Sequence, residues 1–384
     1  MREAVLVLLL GLLIASCATR SLPPVTKDFK PEEDEKRLWL RSEEEENALH
    51  KSGAIYRDEA LETYLDGVAR KLQAPEIYAH IPFKIRVLKN HHLNAFAFPN
   101  GAIYIHTGLL ARLDNEAQLA TLLAHEMTHA THRHLVELIR DIKNKTALLA
   151  TLRATTGGLG SLGAIGTIAA VRGYSRELET EADREGFRLV VNANYDPAET
   201  QKLFLHLKKE VEEENIKEPF FFGTHPSLKD RLENYETLLK DHPQRQQGGL
   251  RNTEAFLEKT GPVILENARD DLKAGRFKIA EQGIEKYLKI KPESAEAYCL
   301  LGDIRRQRGD ENDIESARDY YEKAISIDSS YPESYKGLGL IRYKGGEKGP
   351  AKKAFELYLS LSPQALDRGY IEEYIRQCQG GGKP

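Results

Sequence analysis

The chain has 384 residues, of which 41% are hydrophobic and 30% charged, a composition typical of a globular protein with two or three domains and not of a disordered or polytopic membrane protein. Its 55 basic and 59 acidic side chains give a net charge of -4, which provides no basic surface for a phosphate backbone, so nucleic acid is not expected as a partner. The three cysteines, Cys17, Cys299 and Cys378, are too few for a disulfide framework and too scattered for a zinc ribbon.

The N-terminus has the pattern of an export signal. Arg2 precedes an apolar run over residues 4–15 that is too short to span a bilayer stably. The ending Ile-Ala-Ser-Cys resembles the lipobox of bacterial lipoproteins, which implies removal of residues 1–16 as a signal peptide and a lipid on Cys17. Ala18 implies the outer membrane under the enteric sorting rule. The alternative is an ordinary export signal in which the cysteine occurs by chance.

The next segments are a tether and a first domain. A proline-containing stretch without apolar periodicity predicts an extended, lipid-anchored tether over residues 17–40. The domain is predicted over residues 41–245. Its β-rich runs at residues 83–88 and 94–106 are separated by turn residues and indicate a small antiparallel sheet. Helix formers then dominate residues 116–152, which predicts helix there.

The predicted helix carries the sequence His-Glu-Met-Thr-His. At 100° per residue His125 and His129 differ by 400°, so both imidazoles emerge on one face, one turn apart. This spacing allows both to bind one zinc ion, with Glu126 beside them as the general base of a metallohydrolase. His132 and His134 lie too near in sequence to be the third ligand and are interpreted as groups around the site. The alternative is a pair of surface histidines on an amphipathic helix.

Residues 154–171 are uncharged and include five glycines. Their length approaches that of a membrane span, but glycine lowers both hydrophobicity and helix propensity. The favoured interpretation is a mobile or membrane-touching lid beside the site, and a transmembrane helix is the alternative. A helical pair is predicted over residues 197–240, and residues 246–261 are predicted to be a linker that includes the start of a first repeat.

An acidic segment supplies candidates for the third ligand that a catalytic zinc needs besides an open position. Glu179 and Asp183 are four residues apart and share one helix face, so one carboxylate can bind zinc while the other accepts the outer N–H of a ligating histidine. On spacing alone, Glu177 and Glu181 are competing candidates. A solvated acidic helix is the alternative. A purely structural zinc site is disfavoured, because such sites are usually closed by cysteine or by a fourth permanent ligand.

The C-terminal part is repetitive. Two series of small residues recur at spacings of 34 and 37, namely Ala268, Gly302 and Gly339, and Ala280, Ala317 and Ala351. A helix-pair repeat of this length resembles the tetratricopeptide repeat, and residues 262–379 are predicted to form three repeats and a capping helix. Such an array has a concave surface suited to a protein partner. A generic helical bundle is the alternative.

Three further segments together resemble one known family. AHEMTHATHRH, SRELETEAD and THPSLKDR are similar to signature elements of the HtpX- and Ste24-like gluzincin metallopeptidases, peptidase family M forty-eight. The resemblance covers most of residues 31–240. It implies an α+β fold, with a mostly helical zincin-type metallopeptidase domain and a small antiparallel sheet, followed by the all-α repeat solenoid. It also implies one Zn2+ per chain on His125, His129 and Glu179, with Asp183 supporting these ligands.

The resemblance also implies residues that contact the substrate. The family pattern NAFAxPxG matches the chain beginning at Asn94. Asn94, Ala95 and Phe96 would therefore lie on an edge strand that binds an extended substrate by β-augmentation. His225, with Arg231 six residues later, matches a family element near the metal, and both are assigned to the catalytic group. His225 would be either a transition-state donor or a fourth, inhibitory zinc ligand, and an ordinary loop histidine is the alternative.

An exported peptidase followed by tetratricopeptide repeats is similar to the periplasmic BepA branch of this family, which is associated with assembly and quality control of outer-membrane proteins. The implied function is that of a zinc-dependent endopeptidase of the cell envelope, acting on unfolded or misassembled proteins with zinc-activated water and Glu126 as general base. A protein partner would bind the repeat groove, and the lipid on Cys17 would hold the protein at the outer membrane, facing the periplasm. The alternative is a chaperone or assembly scaffold whose protease site is mostly held shut by His225.

Overall fold

The computed structural model describes residues 22–153, 173–213, 228–241 and 248–380. Three of the sequence predictions lie outside these residues and stay predictions: the signal peptide with Cys17, the glycine-rich segment at residues 154–171, and the role of His225.

The chain divides into two compact units. The first extends to Thr253 and the second begins at Glu254, with Leu110–Arg112 grouped with the second. The first unit combines helices with one small sheet, and the second is entirely helical in its described part, so the predicted fold class is confirmed. In the part of the chain that the structure describes, no helix has the length and apolar character needed to cross a membrane.

The elements up to residue 241 alternate helices with short strands. In chain order they are α1 (Glu33–Ser52), β1 (Ile55–Tyr56), α2 (Glu59–Leu72), α3 (Pro75–Tyr78), β2 (Lys84–Leu88), β3 (Ala95–Ala97), β4 (Ala102–His106), α4 (Thr107–Arg112), α5 (Glu116–Thr131), α6 (His134–Arg153), α7 (Arg176–Asn192), α8 (Ala198–Glu213) and α9 (Leu228–Asp241).

The sheet has the strand order β1-β2-β4-β3 and is mixed, so the prediction of an antiparallel sheet is wrong for its central pair. β3 and β4 form an antiparallel hairpin through the turn at Pro99–Gly101. The chain leaves β2 and crosses the end of β4 before it enters β3 at the far edge, and β2 and β4 therefore run parallel. Asn90 holds this crossing, since its carbonyl accepts from Thr107 Oγ1 at 2.9 Å and from Gly108 N at 2.9 Å. A Cβ at Gly108 would lie 2.1 Å from His91 O, so only glycine fits below the crossing.

Helix α5 is buried along its whole length, because its sequence is apolar on most faces and it lies between the sheet and the other helices. Asn115 caps it, with a side chain that accepts from Gln118 N at 3.0 Å. The helix predicted over residues 116–152 is interrupted at Arg133, which has the left-handed φ of 62°. After this break the chain continues as α6.

The segment predicted to be a tether lies against the first unit in its described part. Val25 N donates to Thr131 O at the end of α5, at 2.8 Å, and Leu22 N donates to the Glu137 carboxylate. The guanidinium of Arg133 binds Glu35 through two nitrogens, at 2.6 and 2.8 Å, and both side chains are buried. Residues 22–32 are thus held at the C-terminal end of α5, and α1 begins inside the predicted tether.

The predicted linker is also held by contacts in its described part. Leu250 pairs with Tyr195, and its backbone bonds Asn194 O at 2.9 Å and Asp196 N at 3.1 Å. A Cβ at Gly249 would lie 2.6 Å from Asp196 N, so a side chain at this position would clash with backbone. The next helix already begins at Thr253, within the predicted linker.

The second unit is built from three helix pairs and a final helix. Small residues lie where paired helices approach closely: a Cβ at Gly302 or Gly337 would lie 2.7 or 2.3 Å from the buried ring of Tyr321. Gly339 has the same relation to Phe355, at 2.7 Å. The helices are α10 (Thr253–Lys273), α11 (Phe277–Leu288), α12 (Ala295–Arg308), α13 (Asp313–Ile327), α14 (Pro332–Lys344), α15 (Lys348–Leu361) and α16 (Arg368–Cys378).

Candidate metal centre and active site

Two histidines of α5 face each other in the interior of the first unit. His125 Nε2 and His129 Nε2 are 3.1 Å apart, and the two rings are inclined by 76°. Both side chains are buried, with exposures of 1% and 2%. The helical spacing predicted from the sequence therefore brings two imidazole nitrogens to one point.

Glu179 of α7 completes the group. Its Oε2 lies 3.5 Å from His125 Nε2, and its Oε1 lies 3.5 Å from His129 Nε2. Among the described residues, these three side chains form the one group whose ligand atoms all lie within 4.8 Å of one another. Of the competing carboxylates, Glu177 is exposed to solvent and Glu181 does not belong to this group. Among these candidates, Glu179 is therefore the carboxylate that lies beside both histidines.

This group fits a zinc ion. Ligand atoms about 2.0–2.2 Å from a tetrahedral ion lie about 3.3–3.5 Å from one another, close to the separations of 3.1 and 3.5 Å observed here. Two imidazole nitrogens and a carboxylate are also the donor set of many catalytic zinc sites, which keep a further position open. Buried acceptor atoms that converge in this way favour a bound cation.

A close helix crossing brings Glu179 to the histidines. A Cβ at Gly186 of α7 would lie 3.1 Å from the backbone nitrogen of His125. Glycine therefore lets α7 approach α5 closely at residue 186, two helical turns after the candidate ligand Glu179. Glu179 itself lies in the first turn of α7, where the helix dipole favours a negative charge.

Behind His125 lies a buried charged cluster. His125 Nδ1 is 3.1 Å from Asp183 Oδ1, the same oxygen that accepts from Arg231 Nη2 at 2.7 Å and from Tyr235 OH at 2.7 Å. Arg231 Nη2 also lies 2.9 Å from His125 Nδ1, and its guanidinium covers the ring of Phe204 at 4.2 Å. Burial alone would lower the pKa of Arg231, but the Asp183 charge holds it above its usual value. We interpret Arg231 as a residue that positions Asp183 and His125, because it lies on the outer side of the ligand.

Behind His129 the surroundings are different. Its Nδ1 lies 2.9 Å from His134 Nδ1, and its ring is stacked on Tyr174 with centroids 4.0 Å apart and planes inclined by 17°. Burial, with a smaller contribution from His132, lowers the pKa of His134 to about 3. Burial and then the nearby carboxylates raise the pKa of Tyr174. His129 is therefore supported by two neutral aromatic groups, whereas His125 is supported by charges.

Sequence comparison agrees with this geometry. Residues 56–239, which contain all three candidate ligands, match the sequence profile of peptidase family M48. Residues 56–239 form an M48 peptidase domain. Residues 295–331 match a tetratricopeptide repeat. The predicted family, metallopeptidase class and repeat type are thereby confirmed.

Named relatives are similar to about half of the chain. Beta-barrel assembly-enhancing proteases of Yersinia pestis and Escherichia coli K12 are each 28% identical, over 209 and 195 residues. These alignments cover 51% and 48% of the chain, but only 43% and 40% of the relatives' own length. The mitochondrial metalloendopeptidase OMA1 of Schizosaccharomyces pombe is 28% identical over 204 residues, which cover 52% of the chain and 58% of that protein.

The edge of the M48 domain sheet lies beside α5. Phe98 N donates to Ala102 O, and His106 N donates to Asn94 O. The hydrogen-bonded pairs of the β3–β4 ladder are therefore those of Asn94, Phe96 and Phe98. It follows that Phe96 directs its backbone N–H and C=O toward β4, whereas Ala95 and Ala97 direct theirs to the outer edge. No strand of the described residues pairs with that edge.

The M48 domain places Glu126 one residue after the first ligand, with an exposure of 1%. Tyr235 and Tyr174 support the site and were not found by the sequence reasoning. For Tyr235 there was a signal, since it follows Arg231 by four residues and therefore shares its helix face. For Tyr174 there was none, because its stacking on His129 depends on tertiary packing.

Proposed function

We propose that the chain is a zinc-dependent endopeptidase. The observation that carries this proposal is the buried convergence of His125, His129 and Glu179, with Glu126 beside them. The outer edge of β3, with which no strand of the described residues pairs, is packed next to the same helix. His125, His129 and Glu179 would hold the ion. When bound, zinc polarises a substrate carbonyl and makes water a stronger nucleophile at neutral pH.

Glu126 is the proposed general base. Its carboxylate would accept a proton from the attacking water and return that proton to the leaving amine nitrogen of the cleaved peptide. Burial of Glu126 supports this role, because exclusion of bulk water strengthens interactions with developing charge. Asp183 and Arg231 would keep His125 in place while this proton moves.

The outer edge of β3 is the proposed substrate-binding strand. The outward N–H and C=O groups of Ala95 and Ala97 would bond an extended peptide through its backbone, which gives affinity with little dependence on side chains. Asn94 precedes these two residues, and Phe96 lies between them with its own backbone N–H and C=O directed toward β4. An unfolded segment presents an extended backbone more readily than a folded protein does, so we propose unfolded or misassembled proteins as substrates.

The cell envelope is the proposed location. The lipobox-like sequence ending at Cys17 and the names of the beta-barrel assembly-enhancing relatives support it. We propose an outer-membrane lipoprotein that faces the periplasm, with substrates among envelope and outer-membrane proteins. The repeats would bind a protein partner in their groove.

The test is zinc content together with proteolysis by the full chain. Wild-type protein should bind one zinc ion and cleave a reduced, unfolded protein substrate. Glu126→Gln should keep the zinc and lose cleavage by at least about a hundredfold, because it removes the proton acceptor. Glu177→Gln, an exposed carboxylate of the same domain, is the matched control and should cleave as wild type does. Full activity of Glu126→Gln would refute the mechanism.

A scaffold function remains the second candidate, and the observation that favours it is the separate compact repeat unit. In this scaffold function the repeats would bind a partner, and His225 would keep the protease site closed most of the time. In cells, a scaffold would tolerate Glu126→Gln and fail when residues 262–379 are deleted. A protease would fail with Glu126→Gln.

A further inference from the structure

We infer that His134 is a positioning residue for the zinc ligand His129: it accepts a hydrogen bond from His129 Nδ1–H and so leaves the Nε2 lone pair of that ligand directed at the metal. The inference rests on the proposed zinc site. It concerns the two nitrogens that lie 2.9 Å apart on the outer side of His129.

The orientation of His129 decides which nitrogen is the outer one. Its Nε2 lies 3.1 Å from His125 Nε2 and 3.5 Å from Glu179 Oε1, so Nε2 points into the group of ligands. A neutral imidazole carries its single proton on one nitrogen and binds a metal through the other. With Nε2 used for the metal, the proton lies on Nδ1, and Nδ1 requires an acceptor.

His134 is suited to be that acceptor in one tautomer only. Its Nδ1 must offer a lone pair to His129, so its own proton lies on Nε2. His134 Nε2 is buried without a hydrogen-bond partner among the described residues, and its nearest carboxylate oxygen, Glu181 Oε2, is 3.6 Å away. A buried N–H donor without a hydrogen-bond acceptor lowers the stability of the fold. The contact at Nδ1 is therefore the interaction that this buried side chain makes well.

The break between α5 and α6 explains how His134 reaches its position. In a continuous helix, residue 134 would lie 500° from residue 129, that is 140° around the axis and away from the outer side of the ligand. Arg133 has a left-handed φ of 62°, which ends α5 and turns the chain back. Its guanidinium is fixed by Glu35, so this turn is held by a buried ion pair.

The face of the His129 ring is held as well, by the stacked ring of Tyr174. Together the two contacts restrict the ring in direction and in rotation, which lowers the cost of ordering it when the metal binds. His134 differs from Asp183, which faces His125, in that it supports its ligand without adding negative charge. The neutral support leaves the positive charge of a bound zinc less compensated.

The test is the zinc affinity of the full chain, measured by competition with a chromophoric chelator and independently of proteolysis. His134→Leu keeps the bulk and removes the acceptor, so the zinc dissociation constant should rise roughly 10- to 100-fold. His134→Asn places Oδ1 at the same number of bonds from the backbone as the lost Nδ1, and it should restore most of the affinity. His206→Leu is the matched control, since His206 lies on α8 with a side chain that is 41% exposed, and its affinity should equal that of wild type.

Thermal unfolding of the metal-free proteins separates positioning from folding. Metal-free His134→Leu should unfold at a temperature within a few degrees of wild type, because an apolar side chain suits the buried position. Wild-type zinc affinity in His134→Leu, or equal losses in the Leu and Asn variants, would overturn the inference and leave the proposed protease intact. Wild-type protein that binds no zinc would overturn both.

Discussion

Glu116, the first residue of α5, anchors the helix that carries two of the candidate zinc ligands. Its buried carboxylate accepts from Tyr195 OH at 2.6 Å, Asn252 Nδ2 at 2.8 Å and Lys71 Nζ at 2.9 Å through Oε1, and from Tyr64 OH at 2.7 Å through Oε2. These donors come from α2, from the turn after α7 and from the segment before the second unit. One side chain therefore joins the start of α5 to three other parts of the first unit.

We predict that Glu116→Ala lowers the free energy of unfolding of the first unit by about 3–5 kcal/mol, the cost of removing one partner from a buried charged network. Glu116→Gln keeps the shape and one neutral acceptor but turns an amide donor toward existing donors, so we expect a loss of about 1.5–3 kcal/mol. Glu59→Ala, an exposed carboxylate at the start of α2, is the control and should change stability by less than about 0.5 kcal/mol.

The assay is urea unfolding of the full chain followed by tryptophan fluorescence. Trp39 is the single tryptophan and lies in the first unit, so the signal reports that unit without interference from the repeats. A loss below about 1 kcal/mol in Glu116→Ala would refute the reasoning, because it would show that the four donors find equally good partners in water.

The pH dependence supplies a second readout. Burial alone would raise the pKa of Glu116, but hydrogen bonds from Tyr195, Lys71 and Tyr64 hold it below its ordinary value of 4.5. A carboxylate whose pKa is lowered by folding stabilises the fold above its unfolded-state pKa, and this contribution is lost as the pH falls through the folded-state pKa. The stability difference between wild type and Glu116→Gln should thus be complete at pH 7 and shrink below about pH 4.5.

Three further substitutions test two close helix contacts and the outer edge of β3. Gly186→Ala places a Cβ 3.1 Å from His125 N and should displace α7, which weakens zinc affinity roughly tenfold in chelator competition; unchanged affinity would contradict the crossing. Gly337→Ala places a Cβ 2.3 Å from the Tyr321 ring and should destabilise the second unit by about 1–3 kcal/mol in urea unfolding followed by circular dichroism; a neutral result would show that the ring moves freely. Ala97→Pro removes an outward N–H while β3 is retained, so KM for an unfolded substrate should rise several-fold, and an unchanged KM would exclude this N–H from substrate binding.

The core of the site is predictable from sequence because local geometry determines it. The period of an α-helix makes residues four apart neighbours, which is enough to place His125 near His129 and to pair Glu179 with Asp183 on one face. The choice of Glu179 over Glu177 and Glu181 came from the family resemblance, because three carboxylates at such short spacing are not distinguished by periodicity.

Features that depend on distant partners were not predictable. The end of α5 at Arg133 is one, since its left-handed conformation is held by Glu35, which lies 98 residues earlier in the chain. The direction of β2 is another, because strand patterns report length and burial but not which strand a loop reaches. The docking of residues 22–32 is a third, since a segment without apolar periodicity gives no signal for the contacts it makes.

The segments through which the chain enters and leaves the first unit contact the two ends of α5. Val25 and Arg133 act at the C-terminal end of α5, and Asn252 acts at its N-terminal end through Glu116. In the proposed lipoprotein, five residue steps separate Cys17 from Leu22, whose N–H already bonds Glu137. Such a stretch spans at most about 18 Å, so the lipid anchor would keep the end of the helix that bears the zinc ligands close to the membrane surface.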